Sequence, residues 1–271
     1  FLFSHAGFAT GVPALIPYPQ NVEWKPNPFS LDEVVYLSYD IHRNDRVILE
    51  IRELLIRSGV NDIEETNLNF SAGKDKIIRI VLRPVPGISQ YEGYQLTVFP
   101  GEITIEAKNK AGIYRGVQTL KQLVVKNKGK FQIKGCRIRD WPAFAIRGFM
   151  QDVGRNYMPV ALLKEQIDVM AAYKFNVFHL HLTDNPGWRL ESKIYPELKN
   201  AGTMSRWPGK YYSQEEFTGL VNYCHDRFIT LVPEFDVPGH CDAFRKAFGL
   251  DSMSDPRVKP VLLDLIDELC N

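Results

Sequence analysis

Two stretches of the chain bring imidazoles and carboxylates together at spacings suited to chemistry. In His179-Leu180-His181-Leu182-Thr183-Asp184-Asn185-Pro186-Gly187-Trp188, two histidines alternate with apolar residues and an Asp follows. In Pro233-Glu234-Phe235-Asp236-Val237-Pro238-Gly239-His240, two carboxylates precede a His. Side chains alternate along a strand, so His179 and His181 would face the same way. Such a His-x-His pair can ligate a metal when further donors join it, and His240, Glu234 and Asp236 could supply them. A metal-dependent hydrolase using His179, His181 and His240 is therefore one candidate. The alternative is that at least one of the first two histidines is a hydrogen-bonded core residue. Asp184 and His240 suggest another chemistry, in which a carboxylate fixes an imidazole's tautomer and charge and the imidazole steers a general acid. Arg147 opens an apolar stretch that ends in Asp152 and Arg155. A guanidinium inside such a stretch needs a partner. It could form a salt bridge with Asp152 or Asp184, or act as a rigid donor fork for the vicinal hydroxyls of a substrate.

The elements that must position these groups read as alternating strands and helices from 141 to 271. Strands are predicted at 146–153, 175–183 and 229–235, and helices at 159–173, 213–227 and 256–269. Ser213 with Glu216 forms a capping box, and Pro159 suits a first helical residue. Repeated βα units make parallel strands, which place ligands just beyond their carboxyl ends. Asp184 and the 234–240 segment fall at such ends. No Gly-rich phosphate loop follows any strand, which argues against nucleotide binding. The region 13–140 is different. A strand at 34–37 precedes a helix at 43–58, with Val47, Ile48, Ile51, Leu54 and Leu55 on one face and Gly59 as its stop. Strands follow at 77–82, 94–98 and 102–107, the last two turning at Pro100-Gly101, and then a helix at 111–125. This order predicts a small α+β domain with helices on one face of a mostly antiparallel sheet.

Composition narrows the classes. With 271 residues and 45% hydrophobic content, the chain can bury a core in one or two domains. The net charge is +1 with the signs interspersed, so nucleic acid is not an expected partner. Four scattered cysteines with no Cys-x-x-Cys pair give no support for structural zinc or a redox motif, and read as reduced thiols. Trp188 and Trp207 lie in loop-like segments beside the candidate site, where aromatic faces can stack on sugar rings. Residues 1–12 are apolar, then small, as in a signal-peptide remnant or a frayed end, which suggests a secreted or periplasmic protein. No run approaches the ~20 apolar residues of a membrane span.

Several segments together resemble family 20 glycoside hydrolases, the β-N-acetylhexosaminidases. They are Arg147-Gly148-Phe149-Met150-Gln151-Asp152-Val153-Gly154-Arg155-Asn156, the His179 to Arg189 run, Tyr195-Pro196-Glu197-Leu198, Tyr211-Tyr212-Ser213-Gln214-Glu215-Glu216 and Pro233 to His240. The 13–140 region, with Ala111-Gly112-Ile113-Tyr114-Arg115-Gly116, is similar to the small domain that precedes the barrel in that family. The resemblance covers nearly all of the chain beyond Val12. It implies an α/β fold, a (β/α)8 TIM barrel of which 141–271 supplies the first three βα units. The implied reaction removes a terminal N-acetylhexosamine from a glycan or glycoconjugate with retention, without cofactor or metal. The substrate's 2-acetamido oxygen attacks the anomeric carbon, a Glu is the general acid, and an adjacent Asp orients the acetamido group. By the same resemblance Arg147 binds sugar hydroxyls, Asp184 and His240 support the acid, and His181, Glu234 and Asp236 stand behind them.

Two departures stand out. Asn185 occupies a position where the family often has a second Asp. The family's Asp-Glu pair, which follows a Gly-Gly, has no counterpart here. Asp267-Glu268 sits in an apolar helical pattern and reads as a solvated helix face. Three βα units do not close an eight-stranded barrel, and the third strand would keep an unpaired edge. The expectation is an amino-terminal portion of a longer hexosaminidase, inactive alone, completed by the remainder of the barrel or by another copy of the chain. A non-catalytic carbohydrate-binding relative is the other class to weigh.

Overall fold

The computed structural model describes residues 13–31, 34–70 and 76–270, so the 1–12 segment read above as a signal remnant lies outside it. The chain divides into two units, Phe1–Ala145 and Ile146–Asn271. The first contains β1 (Asn21–Trp24), β2 (Phe29–Ser30), β3 (Val34–Tyr39), α1 (Arg46–Arg57), β4 (Asp62–Thr66), β5 (Lys76–Leu82), β6 (Tyr94–Val98), β7 (Glu102–Ala107), α2 (Lys110–Gln122), β8 (Val124–Asn127), β9 (Lys130–Ile133) and β10 (Cys136–Asp140).

Seven strands form one sheet in the order β1-β10-β6-β7-β5-β3-β4. Pairings from β1 to β7 are antiparallel, and those from β7 to β4 are parallel. The sheet is therefore mixed, which corrects the expectation of a mostly antiparallel one. The cause is α1: a helix between neighbouring strands carries the chain back to the starting edge, so β3 and β4 must run the same way. α2 also ends earlier than its pattern suggested. Lys128 and Gly129 both take left-handed backbone angles (φ 48° and 84°) and turn β8 into β9. That two-residue turn suits the twist of a hairpin.

The second unit contains β11 (Gly148–Asp152), α3 (Val160–Ala172), β12 (Val177–His181), β13 (Thr183–Asp184), β14 (Gly187–Trp188), α4 (Gln214–His225), β15 (Thr230–Glu234), α5 (Asp242–Phe248) and α6 (Val258–Cys270). Strands β11, β12 and β15 lie parallel in that order, each followed by helix. The capping box of Ser213 and Glu216 starts α4. On one face Phe178 and Leu180 are fully buried. The opposite face is made of rungs set by the register. Met150, His179 and Val232 form one, and Asp152, His181 and Glu234 form the last. Among the described residues, β11 and β15 each pair with one strand only.

Helix α5 was not anticipated. It belongs to an apolar cluster with Trp188, Leu198, Cys241, Phe244, Leu250, Val258 and Leu265. Trp188 is 2% exposed, and its indole N–H donates to the Leu190 carbonyl at 2.6 Å. It is a core residue and not a sugar platform. Glu268 also departs from its reading as solvated. Its carboxylate accepts from Ser192 Oγ at 2.6 Å, the Lys193 N–H at 2.7 Å and Gln214 Nε2 at 2.8 Å, tying α6 to the segment after β14 and to the start of α4. All four cysteines are unpaired, and burial pushes the Cys136 and Cys224 thiols up to about 12. Among the described residues no helix is long and apolar enough to cross a membrane.

In the first unit a buried carboxylate joins the two helices. Glu50 of α1 accepts from Arg46 Nη2 at 2.8 Å, Gln118 Nε2 at 3.3 Å and Tyr114 Oη at 3.3 Å, and Lys121 Nζ closes on it as well. Burial alone would raise its pKa, but Lys121, Arg46 and Gln118 outweigh burial and bring it to about 2. A carboxylate depressed in the fold stabilises it above its ordinary value and loses that contribution as the pH falls through the folded one. Glu50→Gln should therefore lower unfolding free energy by roughly 2–3 kcal/mol at neutral pH. In urea titrations the gap to the parent should close between about pH 4.5 and pH 2. A gap constant over that range would rule out the ionic tie.

Candidate functional site

The site begins at the last rung of the parallel sheet and extends into the three loops beyond it. Register places Asp152, His181 and Glu234 side by side, so three ionisable side chains share one face at the carboxyl ends of their strands. The chain after β11 then turns tightly: the Val153 and Gly154 N–H groups both donate to the His181 carbonyl, at 3.1 and 3.0 Å. Gly154 fits closely there, since a Cβ would lie 3.0 Å from both the Asp184 Cβ and the Thr183 carbonyl carbon, tighter than an ordinary contact. Thr183 Oγ1 accepts from the Asp236 N–H at 3.0 Å and so links the second loop to the third.

Asp184 is the hub. It is 2% exposed, and its Oδ2 lies 2.8 Å from Arg155 Nη2, 3.2 Å from His181 Nε2 and 3.2 Å from His240 Nδ1. Its Oδ1 accepts from the Asn185 N–H at 2.6 Å. Arg155 is held from its other side by Asp152, whose carboxylate takes the Arg155 N–H at 2.9 Å and Nη1 at 2.6 Å. Arg155 Nη2 also reaches His240 Nδ1 at 3.1 Å, and His240 itself sits in the left-handed region at φ 50°. The Arg155 guanidinium keeps 44% of its surface open to solvent. It is a fixed, partly exposed donor fork above a buried carboxylate.

His181 has both ring nitrogens against carboxylates, Nε2 on Asp184 and Nδ1 on Glu234 at 3.0 Å. Two acceptors favour the doubly protonated ring. Burial pulls its pKa down most strongly, yet the bonds to Asp184 and Glu234 together leave it above the ordinary value. Glu234 also meets His179 Nε2 at 2.5 Å, so one carboxylate bridges both histidines of the His-x-His pair.

The Arg147 expectation is corrected by this geometry. Arg147 lies at the amino end of the sheet, with its N–H on Asn176 Oδ1 at 2.8 Å and its Nε on the Lys174 carbonyl at 2.7 Å. Five residues of strand, about 16 Å, separate it from Asp152. Arg155, at the other end of the same motif, is the guanidinium that joins Asp184 and His240. The rule that parallel strands bind ligands at their carboxyl ends, applied to Arg147 and Arg155 alike, selects Arg155.

Donor atoms of Asp152, His181 and Asp184, and of His181, Glu234 and Asp236, lie within 4.8 Å of one another and are the groupings able to hold a cation among the described residues. The trio His179, His181 and His240 is not such a grouping. A metal ligand must offer a free imidazole lone pair. His181, common to both sets, has its two nitrogens facing carboxylates, and Arg155 already covers Asp184.

One residue unnoticed in the sequence organises the rim. Arg189 is fully buried and donates to five carbonyls: Val153 at 3.0 Å, Gly154 at 3.0 Å, Arg206 at 2.9 Å, Trp207 at 3.2 Å and Lys210 at 2.9 Å. Gly187 makes room for it, because a Cβ there would fall 2.2 Å from Arg189 Nη2.

Two family models match the chain, "Glycosyl hydrolase family 20, domain 2" over residues 12–141 and "Glycosyl hydrolase family 20, catalytic domain" over residues 144–260. This chain belongs to glycosyl hydrolase family 20. Among curated family relatives, a beta-hexosaminidase of Porphyromonas gingivalis is 39% identical over 58% of this chain and 22% of its own length. The bovine beta-hexosaminidase subunit alpha is 29% identical over 87% of this chain and 47% of its own. The chain thus spans between about a fifth and a half of the length of such relatives. A Flavobacterium johnsoniae chitobiase structure aligns with TM-score 0.79 and 33% identity, over 94% of this chain and 42% of that one. A Vibrio harveyi exo beta-N-acetylglucosaminidase in complex with N-acetylglucosamine aligns with TM-score 0.74 and 31% identity, over 87% and 38%.

The raised His181 fixes the sign of a pH effect. A group whose pKa is higher in the fold stabilises it below the unfolded value and loses that contribution as the pH rises through the folded one. The stability difference between the parent and His181→Gln should therefore be largest near pH 6 and shrink by about pH 9. Urea midpoints at the two pH values measure it. An equal difference at both would mean that His181 is held neutral.

Proposed function

We propose that this chain is part of a β-N-acetylhexosaminidase that removes terminal non-reducing N-acetylhexosamine from glycans. The observation that carries the reading is the Arg155–Asp184–His240 cluster at the strand ends of a family 20 chain. Arg155 presents a fixed donor fork to the hydroxyls of the terminal sugar, a task for which a planar guanidinium suits better than an ammonium. Asp184 holds Arg155, His181 and His240 in register. His240 stands at the rim with Nδ1 against Asp184, where it can set the charge around a general acid. The 2-acetamido oxygen of the substrate supplies the nucleophile, and the configuration at the anomeric carbon is retained.

In this reading the second unit is the first three βα units of a (β/α)8 barrel, and the first unit is the small domain that precedes it. Asp267-Glu268 does not serve as the acidic pair, since it lies in α6 with Glu268 bonded to Ser192, Lys193 and Gln214. The chain by itself is then a sugar-binding half-site without turnover. A glycan substrate also favours a secreted or periplasmic setting.

Titration of the chain with N-acetylglucosamine, followed by NMR, tests the assignment. Arg155→Ala should weaken binding by about ten- to a hundredfold, the worth of a hydrogen bond to a charged group. Arg147→Gln, at the far end of β11, should change it by less than about twofold. Equal losses in the two variants would overturn the assignment of Arg155, and release of nitrophenol from a chromogenic N-acetylglucosaminide by the pure chain would overturn the half-site.

A further inference from the structure

We propose that Trp207 is a second binding element, a platform at the rim for the sugar ring linked to the terminal N-acetylhexosamine. The proposal rests on the reading above and extends it to a residue that forms no part of the charged cluster.

Trp188 is buried and Trp24 and Trp141 are partly buried, whereas Trp207 is 50% exposed. It also holds φ 49°, in the left-handed region. For a bulky side chain that is a genuine outlier. Half of this large side chain is left in water on a strained backbone, and such strain persists only where its surroundings over-determine it. Here they do. The Arg206, Trp207 and Lys210 carbonyls are all bound by Arg189, and the Lys210 N–H closes a turn onto the Trp207 carbonyl at 3.0 Å.

The same bonds fix where this loop stands. The Arg206 N–H donates to the Pro186 carbonyl at 3.2 Å, two residues beyond Asp184. Arg189 also holds Val153 and Gly154, the two residues before Arg155. The backbone bearing Trp207 is thus stitched to both residues that would grip the terminal sugar. The C–H face of a pyranose is apolar and complements an aromatic face, and a platform rigid before binding adds affinity because little ordering remains to be done. A charged pocket for one sugar beside a fixed indole fits a substrate whose second residue is also a pyranose.

The test uses the 271-residue chain with N-acetylglucosamine and N,N′-diacetylchitobiose as probes, and NMR of the indole N–H signals, that of Trp207 being assigned by its loss in Trp207→Phe. In the parent the disaccharide should bind more tightly than the monosaccharide and shift the Trp207 signal. Trp207→Ala and Trp207→Gly should each weaken the disaccharide by about tenfold, leave the monosaccharide within about twofold, and Trp207→Phe should keep most of the preference. Gly accepts the left-handed backbone freely, so Trp207→Gly should melt no lower than Trp207→Ala. A melting temperature below the parent's in Trp207→Gly with parallel loss of both sugars would make Trp207 structural and overturn the proposal. A parent that binds both sugars equally with a silent Trp207 would overturn the platform alone. A parent that binds neither would remove the functional reading and the platform together.

Discussion

The rim of the site depends on a buried cation that bonds carbonyls. Arg189 has five N–H donors in a planar fork, and five carbonyls from two separate loops receive them. Burial lowers its pKa, but an arginine remains charged through any such shift. The carbonyls concerned belong to turns with no ladder to satisfy them, so the guanidinium supplies donors that the backbone there largely lacks. Lysine offers three donors from a single point and could not span the same set. Arg189 thus converts two irregular segments, 153–154 and 206–210, into one fixed surface beside Asp184.

On that surface the charges are arranged by depth. Asp184 is buried and meets three partners through a single oxygen, while Arg155 and His240 are the outer members, each close to half exposed. A carboxylate surrounded in this way has its oxygens bonded by the protein in place of solvent, and its partners lose the freedom to swing away. His181 lies beneath, with one ring nitrogen on Asp184 and the other on Glu234, and so holds the two carboxylates apart. The groups that touch solvent are thereby pre-oriented by groups that do not.

Much of this was legible in the residues, for identifiable reasons. The strands at 177–181 and 230–234 announce themselves by short apolar runs with polar ends, and parallel pairing then brings His181 beside Glu234. Asp184 and His240 followed from their place at strand ends. Arg147 was misplaced because an Arg at the head of a strand and an Arg just past its tail look alike until direction is considered. Arg189 escaped notice because its partners are carbonyls, which every residue has and no pattern marks. Trp188 and Trp207 sit in similar loop sequence, and only packing against Phe235 and Phe244 separates the buried one from the exposed one. Helix α5 is short, and the mixed sheet of the first unit required knowing that β3 and β4 are neighbours.

The last rung of the parallel sheet also has a kinetic meaning. Asp152, His181 and Glu234 are adjacent in space but come from three strands separated along the chain by whole helices and a long loop. Closing such distant pairings is slower than forming the local turns and helices around them. No two of the three groups meet until those closures are made. The charged rung is therefore assembled late in folding, after the helices and turns that flank it.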